Sequence, residues 1–532
     1  MIDRVVIRGY RCFEQLEFEP NSGLNVVVGD NESGKSTLLE AIALALTGRS
    51  NGRWLGEELN PFWFHRPAVL DFFARSGSQD PAPPPELLIE LYLSDACDVF
   101  QPLRGVHNSR NEDAPGVSVR AFPAEDYRTE LRTYLQSGPP TVLPVEFYKV
   151  EWTDFSGERI TRRPKALSTS FIDSRTIRST SGIDFHTREI LGGHLADAER
   201  VEISLAHRLA RQRITDETLA AINKRIADAN AELHHRPLGL QMDQSSRASW
   251  ESGIVPQVDD IPFALAGQGQ QAAIKIALAM SRSADIATFV LIEEPENHLS
   301  HTSLARLVRR ISELATADQQ LFVSTHSSYV LNRLGVDALL LLSEGAIARF
   351  GQLDDSTVRY FRRLAGYDTL RLVLAEKVVL VEGPSDAIVF ERCFRDAVGT
   401  SPLDYGVDVL SMNGLTFRRA LELCQACDRQ VVALRDNDGE DPDQLIADLG
   451  TLVSPPKRRM LVSAPQAGTT LEPQLIHANG ESRLREILGL NPSTDVEAWM
   501  KRNKAEAALR IFDCQTTISY PQYITDAVNL VQ

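Results

Sequence analysis

Cysteine is scarce in this sequence, six in 532 residues. So few, so widely scattered, cannot make the disulfide framework of a small secreted scaffold, and a reducing cytoplasm is the expected setting. Cys424 and Cys427 form a lone CxxC on a predicted helix, with neither a second pair nor a nearby histidine, so packing is favoured over zinc. Long apolar runs are missing too: no segment approaches the ~18 residues of a membrane span. The N-terminal MIDRVVIRGYRCF has no signal core. The expectation is a soluble, cytoplasmic protein with no membrane partner. Excess positive charge is also absent, since 56 Lys and Arg stand against 72 Asp and Glu for a net charge of −16. The surface as a whole does not attract nucleic acid, so DNA binding needs a local basic groove or metal ions that offset the acids.

What is present is enough chain for two or three domains, each with its own core. The organising stretch is FVLIEEPENHLS, Phe289 to Ser300. Phe289 to Ile292 reads as a buried parallel strand that runs directly into Glu293 and Glu294. Two acids at the end of a buried strand are costly unless a cation meets them. In a P-loop nucleotidase that cation is Mg²⁺: one acid holds it and the next orients or deprotonates the attacking water. Taken by itself, the stretch also fits a strand that ends in a solvated acidic turn.

From the N-terminus, IDRVVIRGYRCFEQLEFE alternates as two half-buried strands joined by a turn around Gly9. LNVVV and GDNESGKST follow, matching GxxxxGK[ST] between an apolar run and an amphipathic one. Gly29, Asn31, Gly34, Lys35, Ser36 and Thr37 are the nucleotide-binding candidates. The glycines let backbone N–H groups close around phosphates, Lys35 reaches the β/γ oxygens, and the Ser36 hydroxyl ligates Mg²⁺.

Between about 50 and 260 the pattern is looser. LLIELYL (87–93) and VEFYKV (145–150) read as strands, and 104–118 as a mobile loop. Arg159, Arg162, Arg163, Lys165, Arg175 and Arg178, interleaved with Tyr148, Trp152, Phe155 and Phe171, suit a DNA backbone, with a solvated charged face the favoured alternative. From 188 to 235 one or two long helices are predicted. Leu219, Ile222, Ile226, Ala229 and Leu233 form a coiled seam, closed by His234, His235 and Pro237. Next, Gly267, Gly269, Gln270 and Gln271 open an amphipathic helix, and His326 follows Ser324 and Thr325 at the end of QLFVST.

After Arg371 strands alternate with helices, which predicts a small parallel α/β unit. KVVLVEG ends in Glu382, the next helix carries Asp386, and RQVVALRDND ends in Asp436 and Asp438, placed on one face by strand alternation. Four converging carboxylates without a nearby cationic side chain repel one another unless divalent ions sit between them.

GDNESGKST, LAGQGQQ, LIEEPENHL and VSTHSS together resemble the ATP-binding-cassette heads of the RecF, SMC and Rad50 group. By that resemblance Gly267, Gly269 and Gln270 contact the γ-phosphate held by a second subunit, although Ala266 replaces the signature serine of transporters. Glu293 helps Ser36 hold Mg²⁺, Glu294 is the catalytic base, His326 senses the γ-phosphate, and 296–299 form the turn that meets the partner. A sandwich of two heads implies at least a dimer. EG followed by DxD resembles the TOPRIM domain. Glu472 and Lys504 look like later positions of that domain in OLD-family (overcoming lysogenization defect) nucleases, where the glutamate completes a second metal site and the lysine stabilises the phosphorane.

An ATPase followed by TOPRIM on one chain is similar to the OLD family, including the large subunit of Gabija-type antiphage systems. The resemblance implies an α/β fold: a cassette-type P-loop ATPase head with a helical dimerisation insert, then a small Rossmann-like TOPRIM domain with a parallel sheet. The expected boundaries are 1–187 and 246–368 for the two ATPase parts, 188–245 for the insert and 369–532 for TOPRIM. It further implies ATP and Mg²⁺ or Mn²⁺ as cofactors, with Glu382, Asp386, Asp436, Asp438 and Glu472 as ligands and Glu382, Asp436 and Lys504 as catalytic groups. The expected activity is nucleotide-regulated DNA cutting in antiphage defence. DNA is the expected substrate, with a homodimer or tetramer joined through heads and arm, and a helicase-like or other defence protein as a further partner. The alternative is a non-cutting RecF/SMC-like repair ATPase whose C-terminal domain binds DNA or a partner.

Overall fold

The computed structural model describes the chain apart from residues 51, 76–79, 137–141, 174–195, 231–237, 244–249, 251–256, 259, 268, 272, 275, 277–287, 298, 315–318, 344, 350–352, 364–367 and 413–415. Two compact units result: Met1–Val27, Asn31–Thr325 and Glu344–Ile347 form the first, and Val28–Asp30, His326–Ser343 and Ala348–Gln532 the second. Residues 326–343 and 348–368, assigned to the ATPase part by the sequence boundaries, thus group with the C-terminal unit.

Among its described residues the first unit has two short two-stranded sheets and two large ones. In one, Phe13–Phe18, Ile2–Tyr10, Leu87–Leu93 and Ala114–Pro123 are successive antiparallel neighbours, and Tyr148–Asp154 also pairs with Ala114–Pro123. In the other, Thr169–Asp173, Thr288–Glu293, Gln319–Ser324 and Leu24–Val28 run parallel. The helix Lys35–Thr47 packs against both. Leu38, Leu39, Ala41, Ile42, Leu44, Ala45 and Leu46 are all buried, because a helix covered on two sides must be apolar nearly all round.

Three local expectations are corrected. Gly9 lies within the first strand at φ 66° rather than at the turn, which is Arg11–Cys12; a Cβ on Gly9 would sit 2.0 Å from the Glu86 carbonyl oxygen. The second strand of that region begins at Tyr148, since Val145–Phe147 is a 3-10 turn. The 104–118 stretch is not a mobile loop: Arg104–Gly105 pairs with Ala114–Pro115, closed by Arg104 ion pairs to Asp95 and Asp113. Trp152 and Phe155 are core residues, so they offer no surface for stacking on DNA; Arg175 and Arg178 lie outside the described residues.

Asp197–Arg213 and Ala220–Asn230 are helices joined by a π-turn, and Val201, Leu205 and Leu209 present an exposed apolar stripe at four-residue steps. Ile222 and Ile226 are half-buried; Leu233, His234, His235 and Pro237 lie outside the described residues. No helix among the described residues is long and apolar enough to cross a membrane.

The second unit is built on a four-stranded parallel sheet in the order Val407–Ser411, Lys377–Val381, Gln430–Arg435, Arg458–Val462. Alternation divides it into two faces. Val379, Val381, Val432 and Leu434 pack with the helices Pro384–Val398, Lys504–Asp513 and Gln522–Val531 in one apolar core. Phe417–Ala426 contacts the sheet as well, but its buried Ala420, Leu421 and Cys424 are not part of that core. All four strands therefore end at the same edge, where the acids of the motifs emerge.

Candidate functional site

At the phosphate loop, Gly34 caps the helix at φ 103°, and a Cβ there would meet Cys12 Sγ at 2.6 Å, so only glycine fits. Lys35 is buried. The Ser36 hydroxyl donates to Glu293 Oε1, joining residues 257 positions apart in the sequence. A hydroxyl beside a nearly inaccessible carboxylate is an oxygen donor set of the kind Mg²⁺ takes, so the pair fits the predicted metal.

Glu294 sits in the left-handed region at φ 45°. Its N–H donates to the Ser324 carbonyl at 3.0 Å, and Asn297 Nδ2 donates to its Oε2 at 2.7 Å. A non-glycine residue held in that conformation costs about 1–3 kcal/mol, the kind of strain that functional sites carry. Thr325 Oγ1 donates to Glu296 Oε1 at 2.8 Å, tying the turn after the acids to the neighbouring strand end. Gly29 and His326 belong to the second unit. Asn31 is exposed and Thr37 half-buried. In the signature segment Gln271 donates from Nε2 to Ala266 O at 2.8 Å and from its N–H to Gly267 O at 3.0 Å. These bonds are local, and a Cβ at Gly267 would meet nothing within 4 Å. Gly269 and Gln270 follow in the same helix start.

The second candidate site lies at the edge of the parallel sheet. Glu382 directly follows its strand, and its Oε1 accepts from the Asp436 N–H at 2.9 Å. Asp386 Oδ2 accepts from Gly383 N–H at 3.1 Å, capping its own helix. Asp436 Oδ2 accepts from Leu471 N–H at 3.2 Å, which brings in the helix that carries Glu472. Lys504 Nζ lies 3.5 Å from Glu472 Oε1; the lysine side chain is half exposed and the glutamate is buried. Glu382, Asp386, Asp436, Glu472 and Lys504 thus come from four separate segments.

Burial, reinforced by Asp386 and Glu382, pushes Asp436 up to about 8. Burial raises Asp386 to about 6, with Glu472 adding to the rise and Lys504 opposing it. Glu382 is raised by burial and then by Asp386 and Asp438. Asp436 Oδ1 is buried and has no hydrogen-bond partner. An orphaned carboxylate oxygen among mutually repelling acids fits a divalent cation, which would accept that lone pair and offset the charge. Among the described residues no three His, Cys, Asp or Glu side chains are close enough to hold a metal ion as they stand.

The placement of Asp438 differs from the alternation argument. The strand ends at Arg435, and Asp438 lies in a turn at φ 48° with its N–H on Thr469 O at 3.2 Å. Asp436 is buried and Asp438 exposed, so the two do not share a strand face. The turn is held by Asn437, fully buried, whose Nδ2 donates to Ser463 Oγ at 3.0 Å and Gly468 O at 2.9 Å. Arg435 also contradicts the expectation of acids without a nearby cation, since its charge acts on Glu382. Both residues were visible in RDND, where an arginine and an asparagine alternate with the acids. Tyr523, from the C-terminal helix, is buried beside the same cluster. Burial and then Asp436, Asp386, Glu382 and Glu472 push its phenol well above the ordinary value.

Comparison with known proteins follows the same division. AAA-domain family models match residues 4–67 and 149–332, the second of them named for the AbiEii toxin of a type IV toxin–antitoxin system. The TOPRIM-domain model of overcoming lysogenization defect protein-like sequences matches residues 373–438, the segment that carries Glu382, Asp386, Asp436 and Asp438. The chain has the ATPase–TOPRIM architecture of the OLD family. The chain is similar to the DNA replication and repair protein RecF of Magnetococcus marinus, 37% identical over 90 residues, 15% of this chain and 24% of that protein. The Rad50 ATPase of Methanopyrus kandleri is 50% identical over 50 residues, 9% of this chain and 6% of the relative. These matches span a quarter or less of the relatives' length. Among solved structures, the C-terminal region of the Burkholderia pseudomallei OLD protein is 20% identical, covering 30% of this chain and 97% of that one at a TM-score of 0.25. The SMC head domain of Thermotoga maritima is 15% identical, covering 66% and 99% at a TM-score of 0.27. The OLD-type architecture implies use of ATP and of a divalent metal.

Proposed function

We propose that this OLD-type protein is a nucleotide-regulated, two-metal-dependent DNA endonuclease acting in antiphage defence. The observation that carries the reading is the buried Asp436, its Oδ1 orphaned, within electrostatic reach of Glu382, Asp386 and Glu472. Divalent cations there would supply an activated water and a counter-charge for the leaving oxygen of a phosphodiester. Glu382, Asp386, Asp436, Asp438 and Glu472 are the residues that would hold them. Lys504, tethered to Glu472, is positioned to donate to the charge that develops on the phosphorane. In the ATPase head Ser36 and Glu293 hold Mg²⁺ with the nucleotide, and Glu294, oriented by Asn297, acts on the attacking water. The signature segment, open at Gly267, and the exposed stripe of Val201, Leu205 and Leu209 support a dimer or tetramer of this chain.

The second reading, a non-cutting repair ATPase, is favoured by the likeness to RecF. The two separate on one experiment. Purified protein is incubated with supercoiled plasmid and Mg²⁺ or Mn²⁺, with and without ATP, alongside Lys35→Ala and Asp436→Ala. Nicking or linearisation that Asp436→Ala abolishes is expected. Intact plasmid under every condition favours the repair ATPase.

A further inference from the structure

A cleft of about 430 Å³ opens beside the acids, with Glu382 and Asp438 on its wall. Arg435 and Arg418 line it too. Arg435 is half-buried, and neither arginine has a carboxylate within ion-pair distance among the described residues; Arg418 donates only to the Asp448 carbonyl. Elsewhere in the same unit Arg371, Arg392, Arg395 and Arg510 are all held by Asp or Glu. Two guanidinium groups without an ion-pair partner, one of them partly desolvated and acting on Glu382 only at longer range, share this cleft with Glu382, Asp438 and Asp448 and can take a phosphate there. Thr416 and Asp448 add polar atoms to the lining, and the rest of it is apolar. Phe417 is half-buried at the start of its helix, and Met412, Leu445 and Leu449 are buried behind it.

We propose that this cleft holds an unpaired stretch of one or two nucleotides leading to the carboxylates, with Arg435 on a phosphate and Phe417 against a base. The inference rests on the nuclease reading and adds to it the form of the substrate: a single or locally opened strand. Size decides against a duplex. The volume lies in the range of roughly 300–1,000 Å³ that encloses a small ligand, which a nucleotide or two fills and a double helix does not. Chemistry decides for nucleic acid, because a planar cation and an aromatic face side by side are the two elements that read a strand's phosphate and base without sequence preference. Position decides the role, since the same cleft wall carries Glu382 and Asp438.

The test measures binding without cutting. The full-length protein is titrated into a fluorescently labelled single-stranded oligonucleotide in Ca²⁺, with the matching duplex and free dAMP as competitors. The single strand is expected to bind more tightly than the duplex, and dAMP to compete weakly. Phe417→Ala and Arg435→Gln are each expected to raise Kd about ten-fold. Arg435→Gln should also lower the salt slope by about 0.7, one phosphate contact on a single strand, and Arg435→Lys should recover part of both. Arg418→Gln, at an exposed position, gives a second reading if Arg435→Gln proves unfolded by circular dichroism. Unchanged Kd and salt slope in these variants, equal affinity for duplex, or dAMP competing as well as the oligonucleotide would each overturn the proposal. A wild-type protein that cuts no plasmid yet shows these shifts would instead count against the nuclease reading alone.

Discussion

The backbone N–H of Asp436 donates to Glu382 Oε1 across 2.9 Å, so two strands separated by more than 50 residues of sequence are locked at the point where their acids emerge. The bond fixes Glu382 without neutralising it, and leaves Asp436 Oδ1 unpaired in the buried cluster. Burial without a partner makes the site unstable as a metal-free structure, and this yields the first prediction.

Asp436 titrates near 3.8 when unfolded and at about 8 when folded. The folded value is raised, so this group's contribution to stability is fully present below the unfolded value and is lost as pH rises through about 8. In EDTA, Tm is therefore expected to fall between about pH 4 and pH 8 and to level off above that. Asp436→Asn, which cannot ionise, flattens that fall and raises Tm at about pH 8.5, by about 2–4 °C for each kcal/mol relieved, while abolishing plasmid cutting. Scanning calorimetry across pH checks the first effect and a gel the second. A variant Tm that follows the wild-type pH curve counts against the assigned burial cost.

Glu294→Gln should lower ATP hydrolysis by about 10²–10⁴-fold while nucleotide binding survives, because the residue acts on the water rather than on the phosphates. Phosphate release and fluorescent-nucleotide titration separate the two. Asn297→Ala, which removes the 2.7 Å bond to Glu294 Oε2, should give a smaller loss of the same kind.

Lys504→Ala is expected to lower the kcat for cutting by about 10²-fold with little change in KM, as for the loss of one transition-state donor. Lys504→Arg should retain part of the rate. A raised KM with kcat unchanged would point to a contact made equally in the ground state instead.

Asn437→Ala removes a fully buried amide that ties the acidic turn to Ser463 and Gly468. Leaving those groups unpaired should cost about 3 kcal/mol, measured by urea unfolding. Metal binding should weaken with it, because the turn carries Asp438.

Much of this protein was legible from its sequence alone. The strands Phe289–Ile292 and Leu87–Leu93, the phosphate loop between strand and helix, and the alternating order after Arg371 follow from apolar periodicity and glycine placement, which are local properties. The conformation at Asp438 was not legible, because a strand's end is set by its neighbours' hydrogen bonds, here Asn437 to Ser463, and not by its own pattern. Nor was the cleft at Arg435, whose lining comes from segments that only folding brings together. Residue spacing determined which side chains are the candidates for chemistry, since a motif is a short-range arrangement. The tertiary structure alone decided their electrostatics, because burial and the distance between charges depend on contacts among residues far apart in the chain.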